Sequence, residues 1–195
     1  MNILMILSLS LGAILSENIV FSHFFGISPF IKGSGAIKSA VKSGISVTVT
    51  LTVTAILSYV VDTFIIKPCG LEYMRTFILI MLIASVVFAA ELVLRKTAPA
   101  VAKTLGVSFS VVTCNSAILG MVLLGASRGL GFFATVFTAF FSGIGFLAAI
   151  TLFAAVRERL KYSEVPKALQ GIPMALIAAG LIALALSGFH GMKIV

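Results

Sequence analysis

Charged side chains are scarce in this sequence. Asp, Glu, Lys and Arg make up only 10% of its 195 residues, against 60% hydrophobic, whereas a soluble domain carries roughly a quarter charged residues. A chain so composed cannot cover a globular surface with polar groups, which excludes a soluble fold and points to an integral membrane protein. Cysteine is scarce too. Cys69 lies in the loop "KPCGLEY" and Cys114 inside an apolar stretch; at different depths they are poor disulfide candidates. There is no Cys-x-x-Cys pair and no Cys/His cluster. Also missing are a nucleotide-binding loop and a catalytic triad. The glycines between Gly125 and Gly131 follow no strand and do not make a dinucleotide fingerprint.

What is present is a series of long apolar runs. Continuous runs of about 20 residues suit helices crossing the bilayer core, and they lack the alternation of barrel strands. The sequence predicts six spans: roughly Ile3–Phe25, Gly44–Ile66, Thr76–Leu94, Leu105–Ala126, Phe132–Val156 and Ile172–Phe189. Met1–Ser16 has no positive n-region and reads as the start of span one. The expected fold is all-α, one membrane domain over residues 1–195, with short connections.

The net charge of +8 is distributed unevenly. Lys32, Lys38, Lys42, Arg95, Lys96, Lys103, Arg157, Arg159, Lys161 and Lys167 follow the odd-numbered spans. Only Lys67, Arg75, Arg128 and Lys193 lie on the other side. This positive-inside asymmetry predicts cytoplasmic loops after spans one, three and five and both termini outside. The charge orients the chain against the lipid bilayer, and no nucleic-acid partner is expected.

The spans divide three and three. Asn18 and Asn115 lie 97 residues apart, about half the length, and each interrupts a greasy run. Three spans per half force the second half to enter from the opposite side, giving an inverted repeat with halves roughly 1–97 and 98–195. Spans one and four hold most of the strongly polar residues, so they are expected to be broken at mid-membrane and turned inward or toward a partner. Pro29 either contributes to the break in span one or ends that span. Glu17, a carboxylate inside span one, is costly there unless it faces a cavity, a partner or a proton route. Glu17, Asn18 and Asn115 are therefore the candidate ion-path residues. His23, near the end of the span, is expected to reach the headgroups. The triplet Cys114-Asn115-Ser116 can act as interhelical packing glue, line an ion path, or hold a metal through Cys114.

The stretches "FFGISPFIKG", "VDTFIIKP", "AELVLRKTAP", "TCNSAILG", "LFAAVRERL" and "GIPMALIAAGL" occur in an order that resembles the RnfA (RsxA) family, membrane components of the Rnf ion-translocating electron-transport complex. That family is similar to the D and E subunits of the sodium-pumping NADH:quinone reductase. The resemblance covers nearly the whole chain. It implies six helices in an inverted repeat and pairing with an upside-down homologous partner, RnfE-like. It also implies assembly with flavin-bearing and ferredoxin- or NADH-oxidising subunits in the bacterial or archaeal cell (inner) membrane. In the family, one cysteine from each broken helix joins two from the partner to hold a [2Fe–2S] cluster.

This chain departs from the family at both ligand positions. The family's Gly-x-Cys-Pro-Phe is "GISPF" here, with Ser28, and its Thr-Thr-Asn-Cys-Ala is "TCNSA", with Ser116. A serine oxygen is a poor iron ligand. Cys114 sits two residues before Ser116, roughly 200° around a regular helix, and replaces the lost thiol only on a non-helical backbone. The midplane redox site is thus either remade or gone. The leading expectation is a membrane subunit of a redox-driven ion pump, not catalytic alone. The competing ones are a secondary ion or solute transporter and an assembly subunit.

Overall fold

The computed structural model describes residues 12–97 and 116–188; they are helical, with no strand among the described residues. A π-helical turn at Gly12–Ser16 leads into turns, and α1 follows at Ile27–Gly33. Then come α2 (Ile37–Val61, prolonged by a π turn at Asp62–Ile66), α3 (Arg75–Thr97), α4 (Ser116–Ser127), α5 (Phe132–Leu160) and α6 (Ile172–Ser187).

Three of these stretches are long and apolar enough to cross a membrane: Ile37–Ile66, Glu72–Ala90 and Phe132–Leu160. They match the expected spans two, three and five. At 1.5 Å per residue the longest covers about 45 Å, more than the ~30 Å hydrocarbon core. Helices α4 and α6 are shorter apolar helices. Span six ends in helix at Ser187, and Phe189 lies outside the described residues.

Helices α2 and α5 run antiparallel and form the centre of the bundle. Gly44 meets Leu147, Gly143 meets Thr48, and the Tyr59 ring packs edge-on to Phe132 at 5.4 Å. Small residues are what allow this approach. A Cβ at Gly143 would stand 2.8 Å from Thr48 Cα, and one at Gly44 would stand 2.9 Å from Leu147 Cα. Most of the threonine-rich run of α2 is satisfied locally, because Thr48, Thr50 and Thr52 donate to the carbonyls of Gly44, Ser46 and Thr48 at 2.8 Å, whereas the buried Thr54 hydroxyl has no partner.

The short helix α1 is pinned to this pair by Phe30. Its ring is buried, stacks on Phe153 at 4.8 Å, and meets Phe21 and Phe146 edge-on. Seven residues do not make a helix stable alone, so α1 depends on that packing. Pro29 sits in its first turn, where a missing N–H forfeits no helical bond. The interruption of the apolar run lies just upstream, over residues 17–26, and Pro29 keeps α1 from extending back into it, because its ring would clash with the Phe25 carbonyl four positions earlier.

Candidate functional site

The interrupted stretch is held in shape by Asn18. Its side chain is buried, and Nδ2 donates to Ile14 O and Gly145 O, both at 3.0 Å. Oδ1 accepts from Val20 N–H at 3.0 Å and Phe21 N–H at 3.4 Å. Both amide hydrogens and the carbonyl oxygen are engaged, so the carboxamide replaces the helical bonds missing at this point and ties the stretch to α5. An ion-path role for Asn18 would require releasing those bonds.

Glu17 is half-exposed and paired. Arg128 Nη1, in the turn between α4 and α5, lies 2.9 Å from Glu17 Oε2. The carboxylate that the sequence puts inside a span thus has a cationic partner from the other half of the chain. His23 stacks on Phe25 at 5.8 Å, and its Nε2 is buried without a hydrogen-bond partner; this differs from the expected reach to the headgroups.

The backbone turns sharply before α1. Phe24 has φ 55 and Gly26 has φ 75, a region that L-residues with a Cβ enter at a cost. Phe24 is 61% exposed, whereas Phe25 fills the space beside Gly120 of α4, where a side chain would collide with its ring. Gly26 donates its N–H to Ser116 Oγ at 2.9 Å. The fold therefore brings together "GISPF" and the serine of "TCNSA", two stretches ninety positions apart. Ser28 and Ser116 are both exposed on this chain. Cys114 and Asn115 lie outside the described residues.

The donor set at this junction is oxygen. Ser28 and Ser116 offer hydroxyls, and the Ser116 oxygen already accepts an amide hydrogen. Among the described residues no group of three or more His, Cys, Asp or Glu could hold a metal ion, and Cys69 is an exposed free thiol in the turn between α2 and α3. Hydroxyls suit hard cations, whereas iron–sulfur clusters are held by thiolates. Ser28 and Ser116 do not fit a [2Fe–2S] cluster.

Two anchoring residues escaped the sequence reading. Arg157 donates to Ile31 O at 2.7 Å and Ser34 Oγ at 2.8 Å and lies over the Phe153 ring, closing the C-terminal end of α1. In the sequence it counted only as one more cytoplasmic cation. Asp62, buried at the end of α2, lies 2.8 Å from Arg75 Nε and 3.4 Å from Lys67 Nζ. The one signal for it was an acid inside an apolar run.

Compared with known proteins, residues 6–193 match the family model described as "Rnf-Nqr subunit, membrane protein". The chain is 39% identical over 184 residues to the A subunit of the Na(+)-translocating ferredoxin:NAD(+) oxidoreductase complex of Acetobacterium woodii, covering 94% of this chain and 96% of that one. It is 38% identical over 186 residues to the A subunit of the ion-translocating oxidoreductase complex of Aliivibrio fischeri, covering 95% and 96%. The protein of the same name from Serratia proteamaculans is 39% identical over the same length.

Proposed function

The chain belongs to the Rnf-Nqr family of membrane subunits, and from that premise we propose that it is the A subunit of an Rnf-type ion-translocating oxidoreductase complex. The observation that carries this reading is the 37–39% identity to A subunits along almost the whole chain. The chain contributes half of a passage through the membrane; a homologous, oppositely inserted RnfE-like partner contributes the other half. Flavin-bearing and ferredoxin- or NADH-oxidising subunits complete the assembly in the cell membrane, with both termini of this chain outside the cytoplasm.

The contact between Gly26 and Ser116 supports the passage, because it joins the two polar stretches at one place and leaves Ser28, Ser116 and Phe24 open toward a companion. The antiparallel pairing of α2 and α5 supports the inverted repeat. Carrying the 97-residue offset of Asn18 and Asn115 from Val47 leads to Ile144. Those two positions lie between the Gly44–Leu147 and Thr48–Gly143 contacts, where a pseudo-two-fold axis would cross the pair.

Serine at positions 28 and 116 sets this chain apart from its family's cluster-binding pattern. No electron step is assigned to these two side chains, and Cys114 is the remaining thiol beside them in sequence.

Affinity purification of the tagged chain from native membranes tests the assignment. The expected result is co-purification of a homologous membrane protein and redox-active partners, and electron transfer between ferredoxin and NAD coupled to cation movement after reconstitution. Recovery of a lone dimer that binds a solute and has no redox partner would overturn it in favour of a secondary transporter.

A further inference from the structure

A groove of about 370 Å³ lies at one end of the bundle, where α5 ends and α6 begins. Arg157, Leu160 and Lys161 line it from the end of α5, Val165 and Gln170 from the connection, and Met174 from α6. Its size falls in the range of small-ligand sites, which begin at about 300 Å³. The connection is shaped by its own bonds. Gln170 Nε2 donates to Val165 O at 3.0 Å, and the Tyr162 and Ser163 N–H groups donate back to the carbonyls of Arg159 and Leu160. The stretches on either side set the depth of the groove. Phe132–Val156 and Ile172–Ser187 carry no charged side chain, and Arg157 is the first charge after the former. The groove therefore opens where two uncharged helices leave the hydrocarbon core, at the level of the lipid headgroups. Tyr162, in the same connection, is 89% exposed, and tyrosine favours that level.

The lining combines cations with apolar surface. Arg157 and Lys161, the latter capping α5 with helical backbone, stand one turn apart on the same face. Both side-chain hydrogen bonds of Arg157 leave from Nη1, and its Nε and Nη2 bond to no other described residue. Lys161 Nζ forms no ion pair with a described residue. Glu158 and Glu164, the acids nearest in sequence, are exposed and lie outside the lining. The groove is thus left with two positive charges, spare donors and no carboxylate among its described lining residues. Leu160, Val165 and Met174 supply its apolar part. Ile172 and Leu176, one turn apart on α6, are exposed beside it and lead toward the core.

We propose that this groove binds the headgroup of an anionic phospholipid, with Lys161 and the remaining Arg157 donors on its phosphate and an acyl chain along Ile172 and Leu176. Basic pockets between membrane helices suit such headgroups, and charge-assisted bonds from a guanidinium to phosphate oxygens are strong ones. The apolar margin favours a lipid over a free anion, and the depth of the groove favours it over a soluble acidic segment. On the topology proposed above the groove opens to the cytoplasmic leaflet. A bound lipid would bridge the α5–α6 connection to the guanidinium that closes α1.

The test uses the intact complex in phosphatidylcholine nanodiscs that hold a small fraction of photoactivatable phosphatidylglycerol. After irradiation, adducts are mapped by peptide mass spectrometry. The adduct is expected on residues 157–176, and unlabelled phosphatidylglycerol should remove it, whereas extra phosphatidylcholine or inorganic phosphate should not. Lys161→Gln is expected to lower its yield about fivefold, the weight of one lysine beside anionic lipid, with Lys167→Gln changing it by less than about twofold. Lys167 lies in the same connection but outside the lining, so its substitution removes the same charge without touching the groove. No adduct on this stretch overturns the site in favour of another occupant. Equal loss in both lysine variants overturns it in favour of diffuse attraction to a basic surface, and competition by phosphatidylcholine in favour of unselective lipid contact. Competition by inorganic phosphate assigns the groove to a free anion and overturns the lipid. None of these readouts depends on electron transfer, so the outcome is separate from that of the proposed function.

Discussion

Ser116 Oγ accepts the Gly26 N–H at 2.9 Å, across ninety positions of sequence. This bond ties the left-handed turn before α1 to the first described residue of α4. The same oxygen stands at a position where the resembling family places a cluster sulfur, so in this chain the atom is committed to holding two polar stretches together.

Ser116→Ala would leave the Gly26 N–H, in a buried residue, without its acceptor. The expected loss is about 1–3 kcal/mol, read as a lower Tm of the purified complex. The double substitution Ser28→Cys with Ser116→Cys is expected to raise the iron content of the complex and add visible cluster absorbance. If the double variant binds no more iron than the parent, the junction is not the family's cluster site in altered form.

Native iron is a separate question from the serines. Iron in the purified parent complex that disappears on Cys114→Ala, while the subunits stay together, would assign the ligand to Cys114. Iron unaffected by that substitution belongs to other subunits. Elemental analysis of the two preparations decides between them.

Arg157→Met should loosen α1 more than its length suggests. The guanidinium holds Ile31 O and Ser34 Oγ and covers Phe153. Two charge-assisted bonds contribute about 1.5–3 kcal/mol each. Both bonds leave one nitrogen, Nη1; a lysine ammonium can also donate twice from one nitrogen, but it lacks the planar guanidinium that covers Phe153, so Arg157→Lys is expected to fall between parent and Met in thermal stability. Amide exchange across α1 should rise in the same order.

Gly143→Ala probes the α2–α5 contact. The added methyl would press on Thr48 Cα and force the helices apart. Overpacking of this kind costs about 1–3 kcal/mol, expected as a lower Tm. Gly129→Ala, at a position with open space around it but φ 61, isolates backbone strain from packing and serves as the comparison.

Glu17→Gln separates a structural pair from an ion route. Both side chains of the Glu17–Arg128 pair are substantially exposed, 49% and 39%, and such pairs contribute about 0–1 kcal/mol. Stability should therefore change little. If Glu17 conducts, cation transport in proteoliposomes falls while assembly persists; transport at the parent rate would remove Glu17 from the path.

The sequence alone determined that this chain lies in a membrane, and where most of its helices run. Apolar runs are local signals: spans two, three and five became long helices because their own residues exclude water whatever their neighbours are. The same local information marked residues 17–18 as out of place in an apolar span, and the order of short stretches was enough for the family resemblance. It left open whether Pro29 contributes to the break or ends the span; the structure starts α1 at Ile27 and puts Pro29 in its first turn, directly after the interruption. Tertiary structure alone decided the partners. Arg128 for Glu17, Ser116 for Gly26 and Arg157 for the end of α1 are meetings across many residues, and no periodicity encodes them. They arise because Gly44 and Gly143 let α2 and α5 pack closely, and the shorter elements then settle against that pair. A polar atom in a span shows that something must satisfy it, but only the packed bundle determines what does.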